Sequence, residues 1–310
     1  MTRNDTSARR DDGRTRRDLH EEVTQTIIDA LERGVIPWRS PILGRGKAGH
    51  PTNLESDRPY AGVNVFLLAL AGWSAGYGSR YWLTFKQALA RGGSVRKGER
   101  STLVVFWKLY ETKDRETGDS ATVPVLKHYH VFNAEQCDGI TTPDTADLAP
   151  TEFRPIDTAQ AIANGYVGGP SVTHAGSRAF YRPSTDAVVL PEATRFTSGE
   201  EYYSTLFHEL AHSTGHSSRL DRKLDTDLSP FGSSDYAKEE LVAEMASAFL
   251  SAEAGIRPAV IENQAAYVAG WLKSLRDDKR LVVTAAGAAQ RAADWIRGMR
   301  PAGPVPSAIA

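Results

Sequence analysis

The sequence predicts an α+β protein of two domains, an N-terminal α+β domain and a mainly helical C-terminal domain with a small β-sheet. The chain has 310 residues, 41% of them hydrophobic, which is enough for two separate cores. Segments rich in β-branched and aromatic residues lie in the first half, whereas helical spacing of apolar residues dominates after residue 198. A loose, proline-containing stretch at 141–155 lies between the halves and is predicted to be a linker.

The predicted first domain covers 19–140. Residues 1–18 before it alternate acids and arginines without an apolar core, which predicts a disordered tail rather than a signal peptide or an anchor. Apolar spacing predicts a helix from Leu19 to Leu31, ended by Gly34. Further helices are predicted over 62–71 and 84–90, and strands over 102–110 and 123–132.

The predicted second domain covers 156–310. A short helix at 157–165 is followed by a hairpin, with strands at 179–182 and 187–190 on either side of a Pro-Ser-Thr-Asp turn. The rest is predicted to be helical, over 198–213, 235–254, 260–276 and 285–299.

Two features of the sequence predict the subcellular localisation. The single cysteine, Cys137, excludes an intramolecular disulfide, as in proteins of reducing compartments. No run of eighteen apolar residues occurs. We therefore expect a cytoplasmic protein with no membrane partner.

The first domain is strongly basic although the net charge of the chain is −1. Between Arg33 and Tyr110 lie twelve Lys or Arg residues and three acids, a local net charge of +9, whereas the rest of the chain carries 25 basic and 35 acidic residues. Eleven aromatic residues are interleaved with these cations. Aromatic faces stack on unpaired bases and cations neutralise phosphates, so the composition predicts binding of single-stranded DNA. For the turn at 92–98, which presents cations of this segment, a solubilising loop is the alternative.

The candidate DNA contacts are four residues predicted to lie in loops and four further cations. For base stacking and nearby contacts these are Trp38, Arg39, Tyr60 and Tyr81, and for phosphates Lys86, Arg96, Lys97 and Arg100. Core packing is predicted for Phe66, Trp82, Phe85 and Phe106.

The segment HELAHSTGH carries the clearest chemical signal. Ser198 and Glu201 have the spacing of a capping box, so the following apolar run is predicted to be a helix that contains His208 and His212. Residues four apart lie on one helical face, and two imidazoles there can bind one metal ion. Glu209 is next to the first histidine and is the candidate base that takes a proton from a metal-activated water.

The third ligand must come from another segment. The motif with a third histidine is not met, because Ser218 occupies that position and His216 comes too early. Glu240 and Glu244 lie one turn apart on a predicted helix, so one carboxylate can bind the ion while the other orients a histidine. Glu240 is favoured as ligand and Glu244 as orienter, with the roles exchangeable, and a solvated acidic face is the alternative. Zn²⁺ is the expected ion, with Mn²⁺ or Fe also compatible.

Nearly the whole chain, from about 19 to 296, resembles the ArdC antirestriction family. The segments RPYAGVNVFLL, YWLTFKQALARGGSVRKGERSTLVVFWK and HVFNAEQCDGI are similar to its N-terminal domain, and YYSTLFHELAHSTGHSSRLDR and FGSSDYAKEELVAEMASAFL to its C-terminal domain. The resemblance implies a single-stranded DNA-binding domain, a zincin-like metallopeptidase domain and a role in protecting incoming plasmid DNA from restriction. It also implies that His208, His212 and Glu240 are metal ligands and Glu209 the catalytic base.

Three functions are compatible with these features of the sequence. The first is a metallopeptidase with an unidentified protein substrate, for which a component of the restriction system is a candidate. The second is a non-catalytic protein that shields DNA by occupying it, with a structural metal. The third is a peptidase whose basic half recruits an acidic protein instead of DNA.

Overall fold

The computed structural model describes residues 18–38, 50–113, 120–143, 155–223, 234–256 and 264–299. Within these residues the two-domain α+β class is confirmed by the element content, with long helices and three small sheets. Residues 1–17 of the predicted tail, Arg39 and residues 144–154 of the predicted linker lie outside the described residues, whereas Asp18, the last residue of the predicted tail, caps the first helix with its carboxylate. None of the helices in the described part of the chain is long and apolar enough to cross a lipid bilayer.

The first part of the chain contains three helices and six strands among its described residues. The helices are α1 (Leu19–Glu32), α2 (Val63–Ala75) and α3 (Phe85–Ala90). The strands are β1 (Thr52–Asn53), β2 (Tyr81–Leu83), β3 (Ser94–Val95), β4 (Thr102–Lys113), β5 (Ser120–Asn133) and β6 (Cys137–Asp138). The predicted helices and strands of this part are all present, with boundaries shifted by a few residues.

A long antiparallel hairpin dominates the first sheet. The strand order is β1-β2-β5-β4, so β4 lies at the edge. The ladder between β4 and β5 runs from the pair Thr102 and Val131 to the pair Lys113 and Ser120. Val104 and Val131 at the inner end of this hairpin are buried in a small core, whereas most residues toward its outer end are exposed.

The second part contains α4 (Pro155–Asn164), β7 (Ser171–His174), β8 (Phe180–Arg182), β9 (Ala187–Leu190), α5 (Gly199–Ser213), α6 (Ser234–Ala254), α7 (Gln264–Asp277) and α8 (Leu281–Ile296). The predicted hairpin is the antiparallel pair of β8 and β9. Strand β7, which pairs parallel with β9, was not predicted, because all four of its residues are exposed and show no apolar alternation.

One hydrophobic core joins the first helices to the C-terminal ones. Trp38 meets Trp271 of α7 edge to face, with ring centroids 5.2 Å apart. Phe66 of α2 stacks on Phe249 of α6 at 4.9 Å. The Thr24 hydroxyl of α1 donates a hydrogen bond to the carbonyl oxygen of Lys279 at 2.7 Å. The helical face of the first part is therefore buried against the second part.

A capping residue fixes the start of helix α5, and a hydrogen bond joins its buried face to α6. The Ser198 hydroxyl accepts from the backbone N–H of Glu201, as predicted. The Glu201 carboxylate does not return to Ser198 but accepts from the N–H and hydroxyl of Thr197, so only half of the predicted capping box forms. Ser247 of α6 donates to the carbonyl oxygen of Ser204 at 2.9 Å, which fixes the two helices side by side.

Candidate functional site

His208 and His212 lie one turn apart on α5 and face the same point. Their ring centroids are 4.7 Å apart with the planes 80° from each other. The two Nε2 atoms approach to 3.1 Å. This is the arrangement that the four-residue spacing predicts for a helix, because such residues are separated by only about 40° around the helix axis.

Helix α6 supplies a carboxylate to the same point. Glu240 Oε2 lies 3.5 Å from His208 Nε2, and Glu240 Oε1 lies 3.6 Å from His212 Nε2. The candidate ligand atoms of the three residues all lie within 4.8 Å of one another. Glu240 is 6% exposed, so the alternative of a solvated acidic face does not apply to it. The donor set suits a divalent cation of the Zn²⁺ or Mn²⁺ type.

Two further carboxylates contact the other nitrogen of each ring. Glu244 Oε1 lies 3.4 Å from His208 Nδ1, and Glu239 Oε1 lies 3.1 Å from His212 Nδ1. A carboxylate beside Nδ1 favours the tautomer that carries its proton there and leaves Nε2 free to bind a metal. Glu244 therefore lies where an orienting residue is expected.

Glu239 was not singled out by the sequence reasoning. Its carboxylate is held by Arg222, with Arg222 Nη2 2.7 Å from Glu239 Oε1 and Arg222 Nε 3.0 Å from Glu239 Oε2. Arg222 in turn donates to the Thr214 hydroxyl at 2.7 Å and to the carbonyl oxygen of Ala211 at 2.9 Å. One signal in the sequence could have predicted it. Glu239 is next to Glu240 in the segment KEEL, and each ligating histidine needs a hydrogen-bond partner of its own.

The electrostatics of the cluster favour positive charge. Burial opposes protonation of His208 and His212, but the hydrogen bonds and charges of nearby carboxylates, Glu240 for the first and Glu239 and Glu240 for the second, outweigh it and raise both pKa values. Burial likewise disfavours ionised Glu240, yet the two histidines hold the pKa of its carboxyl far below the ordinary range. Protons and a metal cation therefore compete for the same atoms.

Two other residues of the motif have distinct environments. Glu209, the predicted base, is buried on α5 between the two histidines in sequence. His216 does not join the group formed by the two histidines and Glu240. Its Nδ1 accepts from the backbone N–H of Ser218 at 3.2 Å and lies 2.8 Å from the Ser218 hydroxyl, which makes His216 part of its own turn.

The aromatic residues proposed for DNA contact are buried. Trp38 packs between Phe66 and Trp271. Tyr60 packs in a small core beneath the first sheet, and Tyr81 is buried in β2. Loop or turn position suggested accessible rings, but apolar surface of this size is more stable when removed from water. These three rings therefore offer no face to a nucleic-acid base.

The proposed phosphate contacts are on the surface. Lys86, Lys97 and Arg100 are exposed, whereas Arg96 is exposed but engaged with Glu99 at 3.0 Å and with Asp138 at 3.7 Å. The core prediction is confirmed for Phe66 and Trp82 and is wrong for two others. Phe85 is 50% exposed and Phe106 is 42% exposed, because these side chains lie on the solvent-facing sides of α3 and of the hairpin.

Both parts of the chain match known families. Residues 160–288 match the model of a zincin-like metallopeptidase, and residues 17–132 match the N-terminal domain of the anti-restriction factor ArdC. The protein is 38% identical over 294 residues to the uncharacterized protein y4eC of Sinorhizobium fredii, covering 91% of this chain and 92% of that one. It is 39% identical over 296 residues to a DNA primase TraC of Escherichia coli, but it spans only 20% of that primase.

Two solved structures have the same architecture. The antirestriction ArdC protein of plasmid R388 is 38% identical and matches with a TM-score of 0.74 in its metal-free form, covering 91% of this chain and 98% of that one. Its Mn(II)-bound form matches with a TM-score of 0.72. The fold and the His-His-Glu cluster thus define a two-domain protein with a zincin-like, divalent-metal-binding domain. The chain belongs to the ArdC family of antirestriction proteins.

Proposed function

We propose that this antirestriction protein is a metal-dependent peptidase that also binds single-stranded DNA, and that it protects incoming plasmid DNA from host restriction. The observation that carries the peptidase part is the convergence of His208, His212 and Glu240 within 4.8 Å, on a helix pair that also carries Glu209. Two imidazoles and one carboxylate leave an open position on a divalent ion, as in zinc hydrolases.

In this mechanism His208, His212 and Glu240 hold the ion, which acts as a Lewis acid when bound. Glu239 and Glu244 keep both Nδ1 atoms engaged, so that both Nε2 atoms point to one site. Glu209 accepts a proton from the attacking water and passes it to the leaving amine nitrogen of the peptide. Zn²⁺ is the proposed ion, and the Mn(II)-bound relative makes Mn²⁺ the competing candidate.

The DNA part is supported by two independent observations. The segment from Arg33 to Tyr110 has a net charge of +9 in a chain of net charge −1. The same region matches the N-terminal domain of the ArdC family. A polyanion is the partner that such a charge separation favours, and the protein substrate is proposed to be a component of the restriction system.

The substitution Glu209→Gln tests the peptidase part. We expect the variant to bind Mn²⁺ or Zn²⁺ like the wild type and to lose protection of an unmodified plasmid transferred into a restricting host, because only the proton acceptor is removed. His208→Ala should lose both. Metal content by elemental analysis and plasmid establishment by counting transconjugants are the two measurements. The matched control is Glu200→Gln, which removes a carboxylate in the first turn of the same helix.

The non-catalytic alternative makes the opposite prediction. If the protein protects DNA by occupying it and the metal only joins two helices, Glu209→Gln retains full protection. The other alternative is that the basic half recruits an acidic protein instead of DNA. A filter-binding titration with single- and double-stranded oligonucleotides at two salt concentrations tests it. Salt-sensitive binding that is tighter to the single strand supports the proposal, and absence of binding refutes its DNA part.

A further inference from the structure

One face of the β4 and β5 hairpin gathers exposed rings and lysines. In the antiparallel register Phe106 is opposite Lys127, and Tyr129 is opposite Val104, so these side chains share a face with Lys108 and Tyr110. Phe106 is 42%, Tyr110 39% and Tyr129 37% exposed. We call Phe106, Lys108, Tyr110, Lys127 and Tyr129 the hairpin face.

The rings of the hairpin face are ordered relative to one another. The centroids of Phe106 and Tyr129 are 5.5 Å apart. The ammonium groups of Lys108 and Lys127 lie 5.2 Å and 5.4 Å from the centroid of Tyr110, both within cation–π range. Cations and aromatic rings thus lie side by side along the surface over four pairs of the ladder on this face, from Val104 and Tyr129 to Tyr110 and Val123.

The inner end of the same face anchors this surface to the fold. Val104 and Val131 are buried in the small core that includes Trp82 and Leu68. The buried Tyr60 belongs to the same small core, and Tyr129 is paired with Val104 of that core. The exposed rings therefore lie next to packed residues, and the strands that carry them are already formed before a ligand binds.

Charge distinguishes the hairpin face from the opposite face of the hairpin. Among the described residues of the two strands, none of those on the hairpin face is acidic, whereas Glu111 is on the opposite face. The opposite face is used in part for internal packing, since Leu103 and Leu126 pack against the main core, and its 41% exposed Trp107 lies with its ring 5.9 Å from that of His20 of α1.

We propose that the hairpin face is the surface on which unpaired DNA bases stack, with Lys108 and Lys127 neutralising the adjacent phosphates. This proposal rests on the proposed DNA-binding function and replaces the buried rings of Trp38, Tyr60 and Tyr81 as the stacking groups. Stacked bases need accessible rings that tolerate any sequence, and phosphates need cations within reach of those rings. An apolar protein partner would bury the two lysines over Tyr110 without a negative charge to pair with them, which is unfavourable.

The test compares single substitutions in the intact protein by fluorescence anisotropy with a fluorescein-labelled single-stranded 20-mer of mixed sequence. Phe106→Ala and Tyr129→Ala are each expected to weaken binding by about 5-fold to about 100-fold, the range measured for loss of a base-stacking ring. Leu109→Ala is the matched control, because Leu109 is 52% exposed on the same strand but belongs to the opposite face. It should change affinity by less than about 2-fold.

The outcomes separate the failure of this inference from that of the DNA-binding function. If the wild type does not bind the 20-mer, the DNA part of the proposed function fails. If the wild type binds and both alanine variants bind equally well, the DNA function stands and the assignment to the hairpin face is wrong. Unchanged DNA affinity combined with lost plasmid protection would assign the face to a protein partner.

Misfolding is controlled by a conservative variant and a second measurement. Phe106→Tyr keeps a stacking ring and should bind within about 2-fold of the wild type, since only the ring face is needed. The thermal unfolding midpoint and the bound metal of the alanine variants should match the wild type. Weak binding by Phe106→Tyr as well as by Phe106→Ala would overturn the stacking role.

Discussion

The metal centre and the hairpin face both collect charged and ring side chains, but they do so in opposite environments. At the metal centre Glu240 and Glu244 are buried, and both nitrogens of each histidine lie near partners. On the hairpin face the rings are about two fifths exposed and the lysines contact one ring. The first arrangement suits one small cation, whereas the second has the exposed rings and cations that the proposed binding of a flexible polymer requires.

The difference has an energetic basis. Removing one member of a buried charged pair leaves the other uncompensated in a medium of low polarity and typically costs about 3–5 kcal/mol. Exposed charges are solvated before and after such a change, and most contribute about 0–1 kcal/mol. We therefore expect sharp, salt-insensitive effects of substitutions at the metal centre and graded, salt-sensitive effects on the hairpin face.

The largest effect is expected at Glu239. Glu239→Gln removes the negative charge that holds the Nδ1 side of His212 and pairs with Arg222, and it should weaken metal binding by about 10-fold to about 100-fold, as for other residues that orient a ligating histidine. Isothermal titration with Mn²⁺ and with Zn²⁺ measures this. Asp235→Asn on the same helix, an exposed residue paired with Lys238, should leave affinity unchanged. Equal effects of the two variants would contradict the expectation that a carboxylate paired at the metal centre matters more for metal affinity than an exposed carboxylate on the same helix.

An intermediate effect is expected where an ion pair fixes the C-terminal end of α5. Arg219 binds the Asp186 carboxylate and donates from Nε to the carbonyl oxygen of Ser213 at 2.7 Å. Asp186→Asn should lower the free energy of unfolding by about 2 kcal/mol at pH 7, since a hydrogen bond between charged groups is lost. Asn tolerates the left-handed backbone at this position, where φ is +45°. Urea unfolding measures the change.

The pH dependence of that effect has a definite sign. The hydrogen bond from Arg219 outweighs burial and lowers the pKa of Asp186 below its ordinary 3.8. The contribution of Asp186 is therefore complete above pH 3.8 and is lost as the pH falls through the lowered value. The difference between wild type and Asp186→Asn should shrink in that range. Asp221→Asn is a matched control with φ +48° and an exposed partner, Lys223, and should have no measurable effect.

The smallest effect is expected from the lysines of the hairpin face. Lys108→Gln or Lys127→Gln should each lower the slope of log affinity for single-stranded DNA against log salt by about 0.7, because one fewer phosphate is neutralised. Affinity should fall only several-fold at moderate salt. Titrations at three salt concentrations measure the slope, and Lys273→Gln on α7 is the control. A slope that is unchanged in both hairpin variants would contradict the phosphate contacts.

Local signals in the sequence predicted most elements and part of the metal centre. The four-residue spacing of His208 and His212 needs only a helix to place both rings together, and the Ser198 cap and apolar run specify that helix. The β4 and β5 hairpin was predicted because each strand is long and rich in β-branched and aromatic residues. In each case residues close in the chain determine the outcome.

Which aromatic residues reach the surface was decided by tertiary structure. Trp38 and Phe106 both lie in the basic segment, yet Trp38 is buried against Trp271 and Phe106 is 42% exposed on the hairpin. No local pattern distinguishes them, because burial depends on helices more than 150 residues away in the chain. The rings of Trp38, Tyr60 and Tyr81, which were predicted to stack on bases, are therefore buried, although the basic and aromatic composition of the segment still favours DNA as the partner.

The sequence alone thus determined the helix that carries two histidines and a glutamate, because the periodicity of a helix is a property of the backbone. The packing of α6 on α5 decided that Glu240 meets both Nε2 atoms and that Glu239, held by Arg222, meets His212. Contacts between distant segments depend on how whole helices bury their apolar faces, and that is a property of the assembled core.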